Sequence, residues 1–205
     1  MAFGCLSVIQ GHLVRVFSMK NITIRQRSIF VGILILAAYA MLTYSISGNK
    51  PLGVITDFIA GASVIGIPIL MYPLFKSDAN KATNLAYVSA RVIEGLLMIL
   101  GGIFILIPAL EGYRNTIYES IHIYFFIAGA LFFYVLLYRT RIVPKFISIW
   151  GFWATLALLA ITVAKLFGIG WPLLNVLIIP MVLNEFFLAF WLMIKGFLPV
   201  NESVT

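Results

Sequence analysis

Residues 82–107 read ATNLAYVSARVIEGLLMILGGIFILI. Only two of these side chains, Arg91 and Glu94, belong to residue types that carry a formal charge in water at neutral pH. As a helix rising 1.5 Å per residue the stretch would be about 39 Å long. That exceeds the ~30 Å hydrocarbon core of a bilayer, which about 20 mostly apolar residues already cross. The stretch therefore predicts a membrane-spanning helix, and the rest of the chain repeats the pattern.

Five further apolar stretches satisfy the same rule: Ser28–Ile46, Leu52–Phe75, Thr116–Tyr138, Phe146–Phe167 and Trp171–Ile194. The breaks between them are turn chemistry. Ser47-Gly48-Asn49-Lys50-Pro51 closes the first, Lys76-Ser77-Asp78-Ala79-Asn80-Lys81 the second, and Gly168-Ile169-Gly170 the fifth. The expected fold is thus an all-α integral membrane protein, a bundle of six transmembrane helices. Its organisation would be a lead over 1–27, a six-helix domain over 28–196 and a short tail over 197–205. Met19-Lys20 reads as a natural start, so residues 1–18 are expected to be an extension of the reading frame or a short amphipathic lead.

Composition agrees. Of 205 residues, 62% are hydrophobic and 10% charged, and the mean hydropathy is +1.08; soluble domains carry about 25% charged residues. Too little polar surface exists to coat a water-soluble globule, which excludes a soluble enzyme, an RNA-binding domain and a disordered tail. The net charge of +7 implies no nucleic-acid partner, because the cations flank the apolar stretches. With the N-terminus in the cytoplasm, Arg15, Lys20, Arg25, Arg27, Lys76, Lys81, Arg139, Arg141, Lys145 and Lys195 fall on the inner face. Lys50, Arg114 and Lys165 fall on the outer one. That asymmetry predicts a multi-pass protein of the cell (inner or plasma) membrane with both termini cytoplasmic, its positive loops facing membrane lipids or a cytoplasmic partner.

Ionisable side chains inside a bilayer are costly and point to function. Arg91 and Glu94, spaced i,i+3, share one face of the third span, and the sixth span carries Asn184 and Glu185. Arg91 and Glu185 lie at the same depth from the cytoplasmic side. An Arg91–Glu185 ion pair completed by Glu94 is expected, with the second carboxylate free to carry a proton. A looser set occupies the outer half: Asp57, Glu119, His122 and Lys165. Glu119-Ser120-Ile121-His122 has the E-x-x-H spacing of carboxylate-bridged metal bundles but lacks the second copy such sites need, so no metal is expected. A histidine hydrogen-bonded to Asp57, or one titrating at about pH 6–7 at the mouth of a pocket, is expected instead. Pro68, Pro73 and Pro180 are expected to interrupt spans two and six, and broken helices often line cavities. Gly101-Gly102 and the Gly61–Gly66 region should allow close helix contact. No Walker loop, G-x-G-x-x-G, G-x-S-x-G or H-E-x-x-H occurs, and no cofactor is implied.

Four landmarks form a recognisable set: Arg91-Val92-Ile93-Glu94; His122; Leu137-Tyr138-Arg139-Thr140-Arg141-Ile142-Val143-Pro144-Lys145; and Pro180…Asn184-Glu185…Trp191…Lys195-Gly196. Together they resemble the bacterial polytopic membrane family DUF4386 over roughly residues 25–197. The resemblance implies six or so helices and gives Arg91, Glu94, His122 and Glu185 added weight as family-typical positions. It implies no substrate or mechanism. Three functions stay open: binding or carriage of a small amphiphile, lipid or proton-coupled solute at the Arg/Glu cluster; a structural or partner-binding subunit in which the ion pair sets helix registry; and an intramembrane enzyme using His122 with Asp57 or Glu119.

Overall fold

The structure, a computed structural model, describes residues 22–169 and 176–199. The expected lead over 1–18, the start of span six at Trp171 and the end of the tail lie outside them. Among the described residues six helices are long and apolar enough to cross a membrane: α1 (Ile24–Ser47), α2 (Lys50–Leu74), α3 (Asp78–Leu106), α4 (Tyr113–Thr140), α5 (Lys145–Leu166) and α6 (Val176–Ile194).

Most begin earlier than their apolar residues do, because polar residues complete the first turn. Thr23 accepts from the Gln26 N–H while the Gln26 side chain accepts from Thr23, a reciprocal cap that starts α1 four residues before Ser28. Asn49 caps α2 by accepting from the Leu52 N–H. Gly48 ends α1 at φ 63°, the left-handed conformation that glycine adopts freely. Inside the helices Thr56, Ser63, Thr155 and Thr162 return their hydroxyls to the carbonyl four residues back, so they present no unpaired group to an apolar neighbour.

Each helix packs on its two neighbours in sequence, and α6 returns to α1, giving a closed ring of six. Small residues set the closest approaches. A Cβ on Gly61 of α2 would stand 2.5 Å from the Gly95 carbonyl oxygen of α3, and one on Gly95 would stand 2.6 Å from the Gly61 oxygen. Only a pair lacking side chains allows these backbones to touch. Gly32 does the same for α1 against Ala189 of α6.

The first described residues and the end of α6 share one face of the ring. Arg25 donates to the Met193 and Ile194 carbonyls at 2.7 and 3.0 Å, and Arg27 donates to the Leu70 carbonyl at 2.6 Å. Two arginines flanking Gln26 thus cap the C-terminal ends of α6 and α2, where carbonyls lack helical partners and the helix dipole favours a cation. A buried apolar cluster including Val31, Phe75, Leu136, Ile142, Ile147 and Leu192 fills the bundle behind this near face.

The proline expectation fails at Pro68 and holds only near helix ends for the other two. Pro68 lies inside a continuous helix, Pro73 in the 3₁₀ turn that closes α2, and Pro180 in the first turn of the α-helical part of α6, where a missing N–H leaves no bond unmade. Two further irregular turns lie inside α1 and α4. Tyr39–Met41 is a 3₁₀ turn and Tyr118–His122 a π turn. Each places a polar residue on the inside of the ring.

Candidate functional site: a central cavity with a polar wall

A cavity of about 340 Å³ lies within the ring and is lined by residues of all six helices. It occupies the middle of the bundle and the half away from the near face, from Tyr87, Phe133 and Leu188 towards Met41, Leu42 and Ile178. Most of its wall is aliphatic or aromatic. Tyr39, Arg91, His122 and Glu185 bring polar chemistry to it from α1, α3, α4 and α6.

Arg91 is 8% exposed and Glu94 1%. Their i,i+3 spacing on α3 brings Arg91 Nη1 to 2.8 Å from Glu94 Oε2. Gly129 of α4 makes room for the guanidinium arm, since a Cβ there would meet Arg91 Cδ at 2.7 Å. Arg91 also lies over the Phe126 ring, 5.8 Å from its centroid. Its Nε–H is buried without a hydrogen-bond partner. From α4, His122 Nε2 stands 3.6 Å from Glu94 Oε1 and is likewise buried without a hydrogen bond. Glu185 accepts a 2.6 Å hydrogen bond from the Tyr39 hydroxyl.

Four of the sequence-predicted residues therefore converge, with different partners from those expected. Among the described residues no ion pair joins Arg91 to Glu185: Arg91 is engaged by Glu94 and Glu185 by Tyr39. Asn184 leaves the group. Its side chain donates to the Ile147 carbonyl of α5 at 3.0 Å, because neighbours on a helix point about 100° apart and Glu185 already faces the cavity. Tyr39 has no charge, and its role was invisible until α1 was placed beside α6.

The outer-half group does not assemble. Asp57, fully buried, is held by Arg114, whose Nε and Nη2 reach the two carboxylate oxygens at 2.7 and 2.8 Å. The same guanidinium donates to the Met41 carbonyl at 3.0 Å. It stands 4.8 Å from the Tyr44 ring centroid and 4.5 Å from that of Tyr118. This clamp ties α1, α2 and α4 together at the far end of the ring. The expected His122–Asp57 hydrogen bond is accordingly absent. Glu119 and Lys165 are exposed. Glu119 parts from His122 because the intervening turn is π, with i→i+5 bonding that breaks the phase of an i,i+3 pair. Beyond the clamp, Lys50 pairs with Glu111 at 2.7 Å and Tyr44 donates to Glu111. The Lys50 bond, then that of Tyr44, holds the Glu111 carboxyl below its ordinary value. Among the described residues no group of three His, Cys, Asp or Glu side chains could hold a metal ion.

Residues 47–196 match the family described as a domain of unknown function, DUF4386. The chain belongs to that family. The match covers α2 to α6 in full, and with them Arg91, Glu94, His122 and Glu185; Tyr39 lies before it. No curated protein and no solved structure matches the chain. In this DUF4386 member the embedded charges line a cavity or brace the ring, and the two groups are distinct: Arg91 leaves a donor free, whereas Arg114 spends its fork on Asp57.

Proposed function

We propose that this protein is a cell-membrane binding protein or carrier that holds a small amphiphile in its central cavity, the polar head at Arg91 and the apolar body along the aliphatic wall. One observation carries the proposal: a cavity of about 340 Å³ bounded by apolar side chains, with an arginine on its wall that keeps a buried donor unpaired. Ligand sites are commonly concave, mostly apolar and furnished with a few convergent polar groups. A pair kept for helix registry alone would sit in a filled core.

Charge distribution supports an orientation. The near face carries Arg25, Arg27, Lys76, Lys81, Arg139, Arg141, Lys145 and Lys195, and the far end Lys50, Lys165 and the clamped Arg114. By the positive-inside rule the near face is cytoplasmic, and the cavity lies in the half of the bundle towards the outside.

The test is ligand-induced thermal stabilisation of the purified protein by single-tailed amphiphiles, compared with Arg91→Ala and the cavity-filling Ala130→Phe. Stabilisation present in the wild type and lost in both variants is the expected result. Equal stabilisation in all three would place the amphiphile on the outside of the bundle and end the proposal.

A further inference from the structure

We propose that the amphiphile held in the cavity is an anion and that it enters together with one proton, which settles between Glu94 and His122. This rests on the cavity-binding proposal above and names its ligand class and coupling.

Hydrogen-bond supply indicates the sign of the ligand. Arg91 Nε–H is a buried donor with no acceptor, while Glu94 Oε2 and Glu185 Oε2 already accept from Arg91 and Tyr39. No acceptor reaches that donor, and a buried unpaired donor on a cation is satisfied best by an oxyanion. An uncharged acceptor would satisfy the donor less strongly than an oxyanion. A cationic head would stand against the guanidinium.

Charge balance then indicates the proton. One cation, Arg91, faces two carboxylates, Glu94 on α3 and Glu185 on α6. Around them stand the titratable groups Tyr39 on α1, Tyr87 on α3, and Tyr118, His122 and Tyr134 on α4, the Tyr118 ring centroid lying 5.0 Å from that of His122, while α2 and α5 contribute only Ile67 and Leu158 to the cavity wall. Adding an anion raises the negative charge by one in an environment where an uncompensated charge is costly. Glu94 Oε1 and His122 Nε2 stand 3.6 Å apart, and Nε2 has no hydrogen-bond partner. One proton between them gives Nε2 a partner and offsets the incoming charge. The proton comes from bulk water, no covalent bond other than its own changes, and Arg91 turns its fork from Glu94 to the ligand. By linkage, uptake of one proton makes anion affinity rise about tenfold for each pH unit lowered while the pair titrates.

The experiment is calorimetry on the full chain in phosphatidylcholine nanodiscs, with empty nanodiscs as the blank. Three probes are used: 1-decanesulfonate, permanently anionic; decanol; and decyltrimethylammonium. Each is titrated in two buffers of different ionisation enthalpy, which yields protons taken up per ligand bound. The expected result is saturable decanesulfonate binding with about one proton taken up, and near zero in Glu94→Gln whatever its affinity. Decanesulfonate binding without proton uptake in the wild type overturns the coupling and leaves the cavity proposal standing. Preference for decyltrimethylammonium overturns the anion assignment alone. Failure of all three to bind overturns both proposals. If Glu94→Gln does not fold, the wild-type proton count decides.

Discussion

Replacing Arg114 by leucine tests whether the far-end clamp holds the ring together. Asp57 is fully buried and Arg114 2% exposed, so the substitution strands a carboxylate that has lost two hydrogen bonds of 2.7 and 2.8 Å. Removing one partner of a buried pair costs about 3–5 kcal/mol, most of it from the abandoned charge. Asp57→Leu strands the guanidinium and should cost a similar amount. The double variant leaves no unpaired charge and forfeits mainly the contacts of the guanidinium with Tyr44 and Tyr118, worth about 1–2 kcal/mol together. It should therefore be more stable than either single variant. The assay is reversible unfolding in mixed micelles of a mild detergent and dodecyl sulfate, followed by tryptophan fluorescence. If the double variant lost as much as the two single variants combined, the residues would be acting independently. The clamp would then be no unit, and the reasoning would fail.

Three other outcomes follow from the same geometry. Gly61→Ala should lower stability by about 1–3 kcal/mol, because its Cβ would stand 2.5 Å from the Gly95 carbonyl oxygen; an unchanged unfolding midpoint would contradict that backbone contact. Tyr39→Phe removes the 2.6 Å bond to Glu185 and should cost about 1.5–3 kcal/mol if that carboxylate is ionised, read in the same unfolding assay. Glu111 lies outside the spans, and its carboxyl is held low by Lys50 and Tyr44. Its contribution should be fully present above the unfolded carboxyl range and fade as pH falls below it, through the lower folded value. Lys50→Met should flatten that acid limb of the stability profile while leaving stability at neutral pH little changed, since the pair is solvent-exposed.

The fold was legible because span length and turn chemistry are one-dimensional: a run of apolar residues ended by Gly, Asn, Pro or Lys needs no partner to be read. Helix ends were shifted where the cap lay among polar residues, as at Thr23 and Asn49. The site was legible in height but not in azimuth. Counting residues from a span's end put Arg91 and Glu185 at one depth, and both do face the cavity. Which of two carboxylates within a turn of its own depth an arginine reaches depends on the rotation of each helix, and there the local i,i+3 neighbour prevailed. His122 was expected beside Asp57, whose two oxygens Arg114 takes instead, and it parts from Glu119 too. The E-x-x-H rule presumes 3.6 residues per turn, and the π turn at Tyr118–His122 breaks that phase. Arg114 looked like a surface cation because it follows a loop. The available signal was an Asp57 near the far end of α2 without a partner, and a cation at the matching end of α4.

The most direct test of a ligand-binding cavity is to ask where a bound amphiphile sits. A decyl sulfonate carrying a photoreactive diazirine in its chain, irradiated with the reconstituted protein, marks its neighbours for peptide mass spectrometry. The account predicts labelling of interior residues such as Met98 and Met181, each 2% exposed, with competition by unlabelled decanesulfonate and loss in Ala130→Phe. Labelling confined to outward residues such as Phe58, Leu96 and Phe190, at 40%, 54% and 49% exposure, would contradict it.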